Sequence, residues 1–254
     1  MNNRCQTILS LLTEEQKIDV SALAKKLQVS QVTIRKDLDE LERRGIVIRE
    51  HGFARLCSAE NVAYRIAYHY EEKRRIAVRA AELVSDGETL MIENGSCCAL
   101  LAEQIARTKS GATIITNSAF IASYIRRIDG ARVVLLGGDF QNDAQVMVGP
   151  ILRTCAKQFY VNKLFVGTDG YSEQLGFTGN DHLRVQAVRD MAEQAEQIIV
   201  VTESMKFSQR GVVPLGLTNR PRQVVTDSLL EPEKEAALRR AGIVVHKAEV
   251  QGSV

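Results

Sequence analysis

A chain of 254 residues, 45% hydrophobic and 25% charged, has the balance of a globular protein and length for a small domain plus a medium one. No apolar run approaches the roughly 18 residues of a membrane span. Met1 to Gln6 lacks the apolar core of a secretory leader, so a cytoplasmic protein with no membrane partner is expected. The five cysteines (Cys5, Cys57, Cys97, Cys98 and Cys155) are odd in number and show no C-x-x-C spacing. That argues against a zinc site or a disulfide framework, and no metal or cofactor is expected. The net charge of +2 lies wholly in residues 1–56, where ten Lys/Arg face eight Asp/Glu, while the remainder holds 23 of each. This is a faint electrostatic footprint that decides nothing alone.

In chain order, Cys5 to Leu12 reads as a short helix with Ile8, Leu9, Leu11 and Leu12 on its apolar face, followed by an extended Ile18-Asp19-Val20. Ser21 is expected to cap a second helix, Ala22–Leu27, and Gln28-Val29 to turn the chain. Ser30 then caps a third helix that runs to Arg44 and closes at Gly45. Ile34, Leu38 and Leu41 recur at i, i+4, i+7 and face inward, leaving Gln31, Val32, Arg35, Lys36, Asp39 and Arg43 outward.

That order of capped helix, tight turn and basic-polar helix is the arrangement of a major-groove reader. Arg35 and Lys36 can reach guanine edges or phosphates, Gln31 suits adenine, and Val32 or the Thr33 methyl can meet a thymine methyl. The amides capped by Ser21 and Ser30 favour phosphate. Ile46–Arg49 and Phe53–Leu56 flank a turn and form a hairpin wing, with Arg49, His51 and Arg55 placed for backbone or minor-groove contact. The alternative is a three-helix domain with a solvated charged face.

The run Val29-Ser30-Gln31-Val32-Thr33-Ile34-Arg35-Lys36-Asp37-Leu38, with Leu41-Glu42 and Arg49-x-His51-Gly52-x-Ala54, resembles the DNA-binding signature of the DeoR family of bacterial regulators. Family members usually carry a second glycine after His-Gly, where this chain has Phe53. A bulkier wing tip is therefore expected.

Residues 57–70 show no sustained periodicity and read as a linker; residues 71–254 read as a second domain. There, helices alternate with short, continuous Ile/Val/Leu strands at Thr89–Ile92, Ala112–Ile115, Arg132–Leu136, Leu164–Val166, Ile198–Val201, Gln223–Thr226 and Ile243–Val245. Such strands indicate a parallel sheet covered on both faces. The expected class is thus α/β, an N-terminal winged helix-turn-helix joined to a mostly parallel, helix-covered α/β sensor domain.

Ligands of such sheets bind beyond the carboxyl ends of the strands. Those ends carry Glu93, Gly95, Ser96, Cys97, Asn117, Gly137, Gly138, Asp169 and, further on, Arg184 and Lys206. Gly95-Ser96-Cys97 opens a helix whose amides can cradle a phosphate or carboxylate, and Lys206 adds a mobile positive charge. Ordinary turn chemistry explains many of the same residues. No full G-x-G-x-x-G or Walker pattern is present, which disfavours a dinucleotide or ATP.

From about Glu71 to Asp227 the chain is similar to the DeoR-family sensor domain. The matching pieces are Ser85–Thr89, Thr116-Asn117-Ser118, Leu136-Gly137-Gly138, Val148-Gly149-Pro150, Ser204-x-Lys206-Phe207 and Thr226-Asp227. The resemblance implies a fold related to ribose-5-phosphate isomerases and coenzyme A transferases, and an effector that is a phosphorylated sugar. It also implies double-stranded operator DNA as partner and a homodimer or homotetramer acting as a repressor. Where the family has Asp-x-Gly-Thr-Thr, this chain has Glu93-Asn94-Gly95-Ser96-Cys97, which replaces one hydroxyl by a weak thiol donor. A carboxylated or otherwise different small anion is therefore also open. The rival reading is a sugar-phosphate isomerase or transferase, for which Glu93, Asp139, Asp169 and Glu203 are carboxylates of the right type. No catalytic residue is assigned, because an enzyme needs no reading helix or wing.

Overall fold

The computed structural model describes residues 3–15, 17–43, 46–56, 61–217 and 222–249. The chain divides into two compact units, Met1–Tyr70 and Glu71–Val254.

The first unit runs α1 (Asn3–Glu15), β1 (Lys17–Asp19), α2 (Val20–Lys26), α3 (Gln31–Arg43), β2 (Val47–Glu50), β3 (Phe53–Leu56) and α4 (Val62–Ala67). Its core is the set of apolar positions that the helical and strand periods point inward. Ile8, Leu12, Leu23, Ile34, Leu38, Leu41 and Ala54 are completely buried. Asp37 of α3 is buried too, and Arg4 of α1 grips it, with Nη2 donating to Oδ1 at 3.0 Å. That fork ties the outermost helix to the third.

Two expectations for this unit are corrected. The cap of α2 is Asp19, not Ser21, because the Asp19 carboxylate accepts from the amides of both Ser21 and Ala22, at 2.8 and 3.1 Å. The Ser21 hydroxyl also donates to it. A charged acceptor two residues earlier outcompetes a hydroxyl at a helix N-terminus. These hydrogen bonds, from the Ser21 hydroxyl first and the Ala22 amide next, hold the Asp19 carboxyl below the usual carboxylate range. The second correction is that Lys17–Asp19 does not merely extend; it pairs antiparallel with β3, making the wing a three-stranded sheet in the order β1-β3-β2.

Other details follow the local chemistry. Ser30 caps α3, its Oγ accepting from the Thr33 amide at 3.1 Å. Gln28 takes φ +54° in the turn before it. The wing turn is His51-Gly52, with φ of +48° and +87°, the two left-handed residues of a type I′ hairpin. The expected helix end at Arg44-Gly45 lies outside the described residues. So does Cys57, but the segment read as linker contains α4, capped by Asn61 and burying Val62, Ala63 and Ile66. An apolar stripe of three residues is too short to stand out as a period.

The second unit continues with α5 (Tyr70–Ala81), β4 (Thr89–Ile92), α6 (Ser96–Thr108), β5 (Ala112–Thr116), α7 (Ala119–Ile125), β6 (Ala131–Leu135), β7 (Asp139–Gln141), β8 (Val146–Val148), α8 (Pro150–Ala156) and β9 (Val161–Val166). It goes on through β10 (Gly170–Ser172), β11 (Gly176–Gly179), α9 (His182–Ala192), β12 (Ala195–Val201), a 3-10 turn (Ser204–Ser208), β13 (Val213–Pro214), β14 (Gln223–Asp227), α10 (Pro232–Arg240) and β15 (Val244–Ala248).

Seven strands form one sheet in the order β15-β14-β12-β9-β4-β5-β6, and every neighbouring pair is parallel. All seven expected strands are there, each within a few residues of its expected bounds. The antiparallel pair β7-β8 and the set β10-β11-β13 come in addition to the expected strands. These strands are only two to four residues long, too short for an alternation to stand out. No helix among the described residues is long and apolar enough to cross a membrane.

Candidate functional site

Two regions hold the residues singled out from sequence. On α3, Gln31, Val32, Arg35 and Lys36 are exposed and Thr33 half-buried, forming one outward surface. Val32 is 61% exposed, a large apolar side chain held in water at the start of the helix. Such exposure is what a thymine-methyl contact requires. The hydroxyls of Ser30 and Thr33 are engaged with each other at 2.9 Å, so Ser30 presents its cap rather than a free hydroxyl.

The wing arginines pair with carboxylates of their own unit. Arg49 is turned back onto α3: its guanidinium pairs with Asp39 and lies 4.0 Å from Glu42, and its amide donates to Glu42 Oε1 at 3.1 Å. Arg55 pairs with Glu50 across the hairpin at 2.9 Å, and that hydrogen bond holds the Glu50 carboxyl below its usual range. Phe53 stands where the family has glycine, and Lys17 Nζ lies 4.8 Å from the centre of its ring. His51 alone of the three wing residues stays exposed at the tip.

Arg49 thus neutralises two carboxylates of the reading helix that would otherwise repel phosphates. Exposed pairs contribute little stability, so its effect should appear in DNA binding. Arg49→Ala is expected to weaken binding to a mixed-sequence duplex by about three- to tenfold. Adding Asp39→Asn and Glu42→Gln should restore it. Fluorescence anisotropy decides the point, and a triple variant as weak as Arg49→Ala would mean that Arg49 itself touches DNA.

In the sheet, strand order reverses at one place. From β4 the chain proceeds outward through β5 and β6, then returns to place β9 on the other side of β4 and continues through β12, β14 and β15. The crevice at such a reversal, beyond the carboxyl ends, is where open α/β sheets bind ligands. Glu93 and Gly167 follow the two central strands, and the Gly167 amide donates to Glu93 Oε2 at 3.3 Å. Asn94 Oδ1 accepts from Ser118 Oγ at 2.7 Å and so ties the end of β4 to the end of β5.

Gly95 is the N-cap of α6 and has no side chain to cap it. The helix begins at Ser96, so Ser96 and Cys97 lie in its first turn, both buried. Asn117 is fully buried; its Nδ2 donates to the Met147 carbonyl at 3.2 Å, while its Oδ1 has no hydrogen-bond partner. A buried acceptor without a partner is uncommon.

The remaining candidates stand further out. Asp169 follows β9, where its Oδ2 accepts from the Asn180 amide at 2.9 Å. Lys206 lies after β12, one strand beyond β9, and its Nζ donates to Gln209 Oε1 at 3.0 Å. Arg184 is held at the start of α9, its Nε 3.9 Å from Asp181. Burial raises the Asp181 carboxyl, but the Arg184 amide and charge and the Gln141 side chain outweigh it, leaving it below the usual range. Gly137 and Gly138 follow β6, the sheet edge. A Cβ on Gly138 would sit 2.6 Å from the Val148 carbonyl oxygen, so that glycine serves the close approach of β8.

Sequence reading missed Asn94 and Ser118, whose pairing needs two strand ends side by side. It also missed Lys73, a buried lysine on α5 whose Nζ is 3.1 Å from Glu203 Oε2. A signal existed there, since Lys73 falls in register with Ile76, Ala77 and Ala80.

Comparison with known proteins agrees with both halves. A DeoR-like helix-turn-helix domain matches residues 4–60, and a DeoR C terminal sensor domain matches residues 68–228. The putative aga operon transcriptional repressor of Escherichia coli O157:H7 is 27% identical, over 96% of this chain and 93% of its own. The glycerol-3-phosphate regulon repressor of Escherichia coli K12 is 27% identical, over 87% and 88%. The lactose phosphotransferase system repressor of Streptococcus mutans is 33% identical, over 66% and 68%. The two family models together span the helix-turn-helix and most of the second unit, and the chain belongs to the DeoR family of transcription regulators.

Proposed function

We propose that this regulator is a cytoplasmic repressor that binds an operator through Gln31, Val32, Thr33, Arg35 and Lys36, with His51 at the wing tip. The crevice between β4 and β9 takes a small hydroxylated anion, a sugar phosphate or sugar acid. The reversal of strand order at Glu93 and Gly167 carries this reading. Glu93 and the orphan Asn117 Oδ1 are acceptors and suit ligand hydroxyls; the N-terminal end of α6 and the Lys206 ammonium suit its anionic group. Names of relatives support the same class, since one is a glycerol-3-phosphate regulon repressor. The protein acts as a homodimer or homotetramer, because readers of this kind engage paired half-sites. Turnover of substrate forms no part of this function.

A thermal-shift screen of phosphorylated sugars and sugar acids tests the crevice. A true effector at a hundred times its Kd should add about 2.7 kcal/mol of stability. Lys206→Ala should lose that response and keep DNA binding. If no anion stabilises the chain, the sensor reading fails.

A further inference from the structure

The buried stripe of α5 runs Lys73, Ile76, Ala77, Ala80, Ala81, which places a lysine at the head of an otherwise apolar face. Lys73 is 2% exposed and its partner Glu203 has a side chain 9% exposed, with 3.1 Å between Nζ and Oε2. Desolvating two charges costs more than their attraction usually returns, and an apolar pair of like volume would hold the helix at least as well. Stability is therefore a poor reason for the pair.

Its two ends suggest a better one. Glu203 directly precedes the 3-10 turn that carries Lys206, and its carbonyl accepts from the Lys206 amide at 3.1 Å. The next residue, Ser204, donates its amide to Asp227 Oδ2 at 2.8 Å, so the turn is anchored at the end of the sheet. Lys73 sits three residues after Tyr70, which is both the first residue of α5 and the last of the DNA-binding unit. The pair joins the turn bearing Lys206 to the first turn of the helix that continues the chain from that unit.

We propose that Lys73 and Glu203 are positioning residues that pass the effector's arrival to α5, and so along the chain to the DNA-binding unit. The proposal rests on the effector reading above. When an anion draws in Lys206, the Ser204–Ser208 turn shifts and Glu203 moves with it. The Lys73 ammonium follows, because a buried charge parted from its partner is costly, whereas an apolar contact could be absorbed by repacking. The ligand then favours one arrangement of α5 by binding it more tightly.

Hydrogen exchange of the full chain tests this. The proteins are wild type, Lys73→Met/Glu203→Met and Lys73→Arg, each with and without a pool of glycerol 3-phosphate, ribose 5-phosphate, fructose 6-phosphate and 6-phosphogluconate. In wild type and Lys73→Arg, residues 89–98 and residues 70–81 should both exchange more slowly with the pool, by about threefold or more. In the double methionine variant only residues 89–98 should respond. Should that variant not fold, Glu203→Gln, which keeps shape and a hydrogen bond, is expected to blunt the response of residues 70–81 alone. Equal responses of residues 70–81 in wild type and the uncharged variants overturn the proposal. So does a wild type in which residues 89–98 respond and residues 70–81 do not. A wild type with no response at residues 89–98 overturns the effector reading and this inference with it.

Discussion

Replacing Arg35 by alanine is expected to cost about 1–3 kcal/mol of operator affinity, concentrated at a single base-pair position. Arg35 is exposed on the same face of α3 as Gln31, Val32 and Lys36, one turn after the Ser30 cap, where a reading helix meets base edges. Unlike Arg49 and Arg55, which pair with carboxylates of their own unit, it makes no ion pair with a described residue. A guanidinium free to fork onto guanine distinguishes the right base from the wrong one, whereas a phosphate contact distinguishes nothing. Lys36→Ala should show the second behaviour, a loss similar on all sequences with the salt slope reduced by about one. Binding measured on a set of operators with single base changes separates the two. If Arg35→Ala weakens every sequence alike, Arg35 is a backbone contact and the base-reading residue lies elsewhere on α3.

Leu38→Ala is expected to destabilise the N-terminal unit by about 2–5 kcal/mol. Leu38 is completely buried, as are Ile34 and Leu41 on the same stripe of α3 and Ile8, Leu12 and Leu23 on the helices packed around it. A unit of this size has a stability of the same order as that loss, so DNA binding should disappear through unfolding and not through a missing contact. The residues that fill the second unit's core, such as Val166, Val200 and Val224, belong to another compact body. Calorimetry of the full chain should therefore show the transition of the first unit lowered and that of the second unmoved. A shift of both together would show that the two units unfold as one.

How much of this was legible in sequence depends on the range of the interaction. Ile34, Leu38 and Leu41 announce their face by a period of 3.6, and Thr89–Ile92 or Ile198–Val201 announce a covered strand by being apolar throughout; both signals are complete within a few residues. Local signals fail where two local partners compete, as when Asp19 takes the cap expected of Ser21. They fail also where three-residue strands such as β7 and β10 depend on a neighbour for their hydrogen bonds.

The outward polar face of α3 and the class of both domains were legible in sequence alone, because caps, stripes and strands arise from neighbours along the chain. Only the tertiary structure decided that Arg49 pairs with α3, that strand order reverses between β4 and β9, and that Lys73 meets Glu203. Each of these depends on strand order or on a contact between distant segments. No local period encodes such a contact, since its free energy exists only once the chain has closed the intervening loop.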